Sequence, residues 1–404
     1  MTWDAARAAA SDASDRTGSG RPERTGPDHP PNPEADRRGS PRLSPTLVMD
    51  RPCRTGLRLR IDTRPGVTLP PSIGYLRRSG AGAPSGGGTP HTWEPTMTGR
   101  HILDAIGNTP LVRLERVVPP GAATIVAKLE FANPTGSMKD RMARAAIGAA
   151  AADGRLPPDG IVVEYTAGTT GISLTFVCAA LGYDLEIVFS DAVSDEKRVM
   201  MQSFGARITD VPSDNKRITE YLIKEMIATA GRLSQQPGHW WCDQLNNHDA
   251  ISGYAALGEE IWRQADGHVD AFVHAVGTAH SIHGAGDVLR QHNPALHIAA
   301  VEPAESAVLS GGPSGAHRIE GIGIGFLPPL WEPAKVDEII PVTTAEAQAM
   351  ARRLAREEAI FAGASSGANV AAAIQVARRL GPEAVVATII VDSGLRYIST
   401  DLFR

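Results

Sequence analysis

The chain has 404 residues, 42% of them hydrophobic, and a formal net charge of −5. That is enough apolar content for one large or two medium cores, and the negative balance gives no electrostatic reason to bind nucleic acid. No run approaches the roughly 20 apolar residues that cross a bilayer, no secretory signal opens the sequence, and three scattered cysteines (Cys53, Cys178, Cys242) exclude a disulfide framework or a thiolate zinc site. A cytoplasmic protein without a membrane partner is the expectation.

The first 96 residues hold 14 arginines, 10 acidic residues and 14 of the 30 prolines, a balance of +4 that leaves −9 on the other 308. Such a segment buries too little apolar surface to offset its ordering entropy, so residues 1–100 read as a disordered Arg/Pro/Gly-rich extension. Met97 stands immediately before the first regular pattern and is a candidate natural start.

Beyond residue 100, β-branched runs alternate with helix-like stretches. TIVAKLE at 124–130 is followed by a turn at Asn133, Pro134 and Gly136 and by a helix over 139–152, for which Ser137 is the expected cap. Lys139, one of only six lysines (128, 139, 197, 216, 224 and 335), falls in its first turn. There the helix dipole favours the free amine that an imine needs, whereas an exposed surface lysine is the bland alternative.

IVVEY at 161–165 then runs into Thr166, Ala167, Gly168, Thr169, Thr170 and Gly171 and a helix over 171–181. Hydroxyls and free amides at a helix start suit a carboxylate or phosphate, although an ordinary capped loop looks the same. DLEIVF at 184–189 and helices over 195–204 and 249–265 follow. AFVHAVG at 271–277 passes through Gly277, Thr278, Ala279, His280 and Ser281 into a helix with Gly284 and Gly286, a second anion cradle. HIAAVE at 297–302, a helix over 345–358 and VVATIIV at 385–391 complete the pattern, with Asp392, Ser393 and Gly394 immediately after the last strand. Continuous apolar strands joined by helical crossovers dictate a doubly wound α/β protein. About 300 residues of this kind would form two domains, with the ligand outside the carboxyl ends of the strands.

Several further runs complete an ordered set of motifs: IGNTPLVRL at 106–114, NPTGSMKDR at 133–141, VEPAESAVLSGG at 301–312, HRIEGIGIGF at 317–326, IFAGASSGA at 360–368 and VDSGLRYIST at 391–400. With the two anion loops they resemble the cysteine synthase and cystathionine β-synthase family from about residue 101 to 404. The resemblance implies the tryptophan synthase β-like architecture of fold type II, two doubly wound α/β domains with pyridoxal 5′-phosphate between them, the smaller spanning approximately 140–245. It implies that Lys139 is the Schiff-base lysine and the base for the Cα proton. Gly277, Thr278, Ala279, His280 and Ser281 match the phosphate loop, and Ser393 the partner of the pyridine nitrogen. Thr166, Ala167, Gly168 and Thr170 match the loop over the substrate carboxylate, Thr169 the position that also touches the cofactor, and Gln244 an additional donor. Gly321 and Gly323 match a glycine pair near the substrate amine. The implied activity is cysteine synthesis from O-acetylserine and sulfide in a homodimer. With sulfide or a thiol as the partner, the alternatives are cystathionine formation or another β-replacement or β-elimination on an activated serine, and a weakly catalytic homologue that binds the cofactor for regulation.

The chain departs from the family where TSGNTG has become TAGTTG and GTGGT has become GTAHS. Thr169 offers one hydroxyl in place of an amide's donor pair. Side chains at 279 and 280 are tolerated if both residues avoid positive φ or the loop shifts. His280 either contributes a charged phosphate contact or turns to solvent. Other readings fail. Gly363–Gly367 fits a hydrolase elbow, but no histidine follows His317. His274, His280 and His283 lack the carboxylates or cysteines of a metal site, so no metal is expected. GIGIG at 321–325 lacks the strand-to-helix context of a dinucleotide loop.

Overall fold

The computed structural model describes residues 101–215 and 219–404. The expected disordered extension, Met97, Cys53 and Lys216 lie outside the described residues. In chain order the elements are β1 (Leu111–Leu114), β2 (Thr124–Leu129), α1 (Lys139–Ala152), β3 (Ile161–Tyr165), α2 (Thr169–Leu181), β4 (Asp184–Phe189), α3 (Asp195–Ser203), β5 (Arg207–Asp210), α4 (Glu220–Leu233) and β6 (His239–Trp241). There follow α5 (Asp249–Ser252), α6 (Ala255–Gln264), β7 (Ala271–Ala275), α7 (His280–His292), β8 (His297–Pro303), β9 (Glu338–Val342), α8 (Thr344–Glu357), α9 (Ala364–Leu380) and β10 (Val385–Ile390).

The strands form two sheets, one in the order β1-β2-β10-β7-β8-β9 and one in the order β5-β4-β3-β6. Every pairing is parallel except that of β1 with β2, which gives the α/β fold the sequence pattern implies. The apolar runs are continuous because alternate residues enter different cores. Phe272 of β7 packs with α1, α2 and α6, while Ala271, Val273 and Ala275 pack with α8 and α9. In the smaller sheet Leu185, Ile187 and Phe189 of β4 join the same core as Phe272, and Val188 faces α4. One apolar core is thus shared by both sheets and carries a second core on either flank.

Two local expectations are corrected. Ser137 is not the cap of α1: Met138 holds that position, and the Ser137 hydroxyl instead accepts the Lys139 N–H at 3.2 Å. The helix expected over 249–265 is broken between α5 and α6 at Gly253, where a Cβ would lie 2.5 Å from the Arg141 carbonyl of α1. Close backbone approach, not amphipathic continuity, decides that segment. None of the described helices is long and apolar enough to cross a membrane.

Candidate active site

Within each sheet the parallel strands put their carboxyl ends at one edge, and the loops that carry Lys139, Thr166–Thr170, Gly277–Ser281 and Ser393 leave from there. β2, β10 and β7 are neighbours in the larger sheet; they lead respectively into Lys139, Ser393 and Gly277–Ser281. Two backbone bonds stitch the first two segments together, Met138 N–H to the Val391 carbonyl and Ser393 N–H to the Gly136 carbonyl, both 3.0 Å. The left-handed turn at Gly136 (φ +80°) permits this, and a Cβ added there would meet Ser393 Cβ at 3.5 Å.

Lys139 opens α1 half-buried, and among the described residues its amine makes no hydrogen bond or ion pair. Its pKa lies below the ordinary lysine value. The cause is enclosure by protein, with the Asp392 carboxylate pulling the other way, and not chiefly the helix dipole invoked from sequence. An amine held towards its free form and left without a partner is suited to attack a carbonyl. Ser393 Oγ accepts the Leu395 N–H at 3.2 Å, which leaves its own proton to donate.

Of the two conditions for side chains at 279 and 280, avoidance of positive φ is not met: Ala279 sits at φ +68°. An L-residue there costs about 1–2 kcal/mol. The reading of His280 as turned to solvent is corrected. Its side chain is 2% exposed, and burial, assisted by the charge of Lys139, pushes its pKa down to about 3. The imidazole Nδ1 lies 2.8 Å from Thr278 Oγ1, and the buried Nε2 has no partner. On the other side of the loop, Ser281 Oγ lies 2.8 Å from His274 Nε2. The N–H groups of Gly277, Thr278 and Ala279 donate to no acceptor among the described residues. A Cβ on Gly277 would stand 2.5 Å from the Gly321 carbonyl, which puts the expected glycine pair against this loop; Gly323 N–H also bonds the Val276 carbonyl at 3.1 Å. Unclaimed amides beside two hydroxyls at a helix start are the donor set of a phosphate cradle, so these residues fit the phosphate of pyridoxal phosphate.

The smaller sheet supplies the other wall. The Thr166 hydroxyl accepts the Gly168 and Gly171 N–H groups at 2.9 and 3.2 Å, folding the loop after β3 about itself. Thr170 donates to Gln244 Oε1 at 2.8 Å, and Gln244 Nε2 donates to the Tyr165 carbonyl at 3.2 Å. Gln244 N–H is held by Glu164 at 3.0 Å; burial pushes the Glu164 carboxyl up to about 8. Ala167 is exposed, and the half-buried Thr169 hydroxyl is without a partner among the described residues.

Sequence reasoning missed what joins the two walls. Lys197 of α3 is 5% exposed; its stem packs on Gly168, where a Cβ would come within 2.3 Å of it. Its amine pairs with Glu320, next to Gly321, and lies 5.8 Å from the Tyr397 ring centroid. It had only its place among six lysines to distinguish it. Asn369, which bonds both Ala275 and His274, is separated from them by almost a hundred residues and carries no local signal. Among the described residues no group of His, Cys, Asp and Glu could hold a metal ion.

Comparison with known proteins agrees with this geometry. The family model described as pyridoxal-phosphate-dependent enzyme matches residues 102–392. A cysteine synthase of Staphylococcus aureus is 39% identical over 310 residues, covering 75% of this chain and 96% of that protein. The structure of O-acetyl serine sulfhydrylase isoform 3 from Entamoeba histolytica superposes with a TM-score of 0.71 at 38% identity, covering 77% of this chain and 93% of that one. An O-acetylserine-dependent cystathionine β-synthase from Helicobacter pylori gives 0.70 at 32% identity, covering 75% and 98%. A free lysine amine, an oxyanion loop and a serine donor at one sheet edge, matched over nearly the whole described region, mean that this chain belongs to the family of pyridoxal-phosphate-dependent enzymes.

Proposed function

We propose that this protein is a cysteine synthase that replaces the acetoxy group of O-acetylserine with sulfide, acting as a cytoplasmic homodimer. The observation that carries the reading is the unpartnered amine of Lys139 at the same sheet edge as the Ser393 hydroxyl and the loop after β7. Bound pyridoxal phosphate supplies the electron sink that makes the Cα proton removable and the β-substituent expellable. The amides of Gly277, Thr278 and Ala279 and the hydroxyls of Thr278 and Ser281 would hold the cofactor phosphate. Ser393 would donate to the ring nitrogen, and a neutral hydroxyl there would leave that nitrogen largely unprotonated, which favours β-chemistry. Lys139 removes the proton at Cα, its lowered pKa keeping a fraction of the amine free to do so. The loop from Thr166 to Thr170, braced by Gln244, receives the substrate carboxylate, and Gly321 and Gly323 leave room for its amine. We assign the two sheets to two subdomains, the smaller at approximately 140–245.

The similarity to an O-acetylserine-dependent cystathionine β-synthase favours a second reading, in which homocysteine replaces sulfide. The deciding experiment supplies O-acetylserine with either nucleophile to cofactor-saturated enzyme and to Lys139→Ala, and quantifies cysteine and cystathionine. Cysteine from the wild type alone is the expected result. Cystathionine as the main product would select the second reading, and no turnover with either nucleophile would leave a cofactor-binding homologue without this activity.

A further inference from the structure

The oxyanion loop is flanked by two buried imidazoles where the family pattern offers glycine at 280, and their hydrogen bonds can be followed proton by proton. Asn369 Oδ1 accepts the Ala275 N–H at 2.7 Å, so its amide nitrogen faces the Ile389 carbonyl at 2.7 Å and His274 Nδ1 at 3.2 Å. Nδ1 of His274 must therefore accept. Burial pushes the His274 pKa down to about 3, so the ring carries one proton, and it sits on Nε2. That N–H donates to Ser281 Oγ at 2.8 Å, and the Ser281 proton is left free.

His280 mirrors this arrangement with the opposite nitrogen. Its Nδ1 lies 2.8 Å from Thr278 Oγ1, and its buried Nε2 touches no polar partner. Placing the single proton on Nε2 would strand a buried donor and turn the Thr278 proton towards the ring; placing it on Nδ1 frees the Thr278 proton. A phosphate dianion only accepts, so only the second arrangement serves it.

We infer that His274 and His280 are positioning residues that donate to Ser281 and Thr278 so that both hydroxyl protons are presented to the phosphate of the cofactor. This rests on the phosphate-loop assignment above. Ala279, in the left-handed conformation between Thr278 and His280, gives the backbone turn that lets a residue at 280 reach back to 278.

The test has two parts on the full-length protein. In holoenzyme labelled with 15N-histidine, His274 should be protonated on Nε2 and His280 on Nδ1; a His280 proton on Nε2 overturns the inference without any variant being made. Cofactor affinity is then measured for His280→Ala and His274→Ala, each alone and combined with Thr278→Ala or Ser281→Ala respectively. Each histidine variant should bind pyridoxal phosphate about tenfold more weakly, the measure of one lost net hydrogen bond. The loss should vanish where the hydroxyl is already gone, and His280→Asn, whose amide can donate from the place of Nδ1, should recover affinity to within about threefold. Equal losses in both backgrounds would mean a merely structural role. If Thr278→Ala and Ser281→Ala themselves leave affinity unchanged, it is the phosphate-loop assignment that fails.

Discussion

Removing Arg141 should destabilise the protein more than any other single change outside the apolar cores. Arg141 lies two residues after Lys139 on α1, 4% exposed, and its guanidinium makes four hydrogen bonds of 2.7–2.9 Å to Glu130 and Glu260. Lys128 completes the cluster, 2.7 Å from Glu260. Two cations and two carboxylates cancel; in Arg141→Met one ammonium faces two buried carboxylates, and the surplus charge has no solvent to enter. Breaking a buried pair in this way costs about 3–5 kcal/mol. With a urea dependence of about 3 kcal/mol/M for a chain of this size, the midpoint should fall by about 1–1.7 M. Arg141→Lys keeps the charge but loses the fork that meets two carboxylates at once, so its shift should be smaller. Tryptophan fluorescence in urea with saturating cofactor is the assay. A shift below about 0.3 M with an unchanged slope would refute the reasoning, because the cluster would then be exchanging its hydrogen bonds for water at no cost.

Two further outcomes follow from the site. The Glu164 carboxyl titrates near 8 in the folded chain against 4.5 for a free glutamate, so between these values the unfolded chain has released a proton that the native one keeps. Stability contributed by this group is complete below pH 4.5 and falls as pH rises towards 8. Glu164→Gln should be less stable at low pH by about one hydrogen bond, ~1 kcal/mol, yet lack that decline; parallel profiles in urea titrations across this range would count against it. Gly277→Ala places a methyl 2.5 Å from the Gly321 carbonyl, and at about 1–3 kcal/mol for such overpacking it should weaken cofactor binding roughly tenfold or more in a fluorescence titration. An unaltered affinity would show that the loop yields freely.

The sequence was most legible where strands are buried on both faces. IVVEY, AFVHA and VVATII have no alternation to dilute the apolar signal, and their ends fall within two residues of β3, β7 and β10. The four strands it missed lie at sheet edges: β1 is the four-residue LVRL, β5 is the polar RITD, β6 is three residues of HWW, and β9 contains Pro341. α9 was missed for the opposite reason. ASSGANVAAAIQVARRL is buried on most sides, so small residues fill it and no polar face marks its period. In the site, the order of loops along the chain located the anion cradle and Lys139. What His280 does depends on its burial under the loop, which only tertiary packing creates, and the Lys197–Glu320 pair joins segments more than a hundred residues apart.

The position of β10 also sets a timetable. It follows every other strand described in chain order, yet it lies between β2 and β7 in the middle of the larger sheet. Lys139 and Ser393 are 254 positions apart in the sequence, a stretch that takes a ribosome roughly 10–50 s to make. Once β7 has been made and until β10 follows, β2 and β7 have facing, unfilled edges, and the segment that fastens Met138 to Val391 does not yet exist. The Lys139–Ser393 arrangement therefore cannot form before β10 has been made, and the nascent chain passes through a period in which a foreign strand could occupy the gap reserved for its own.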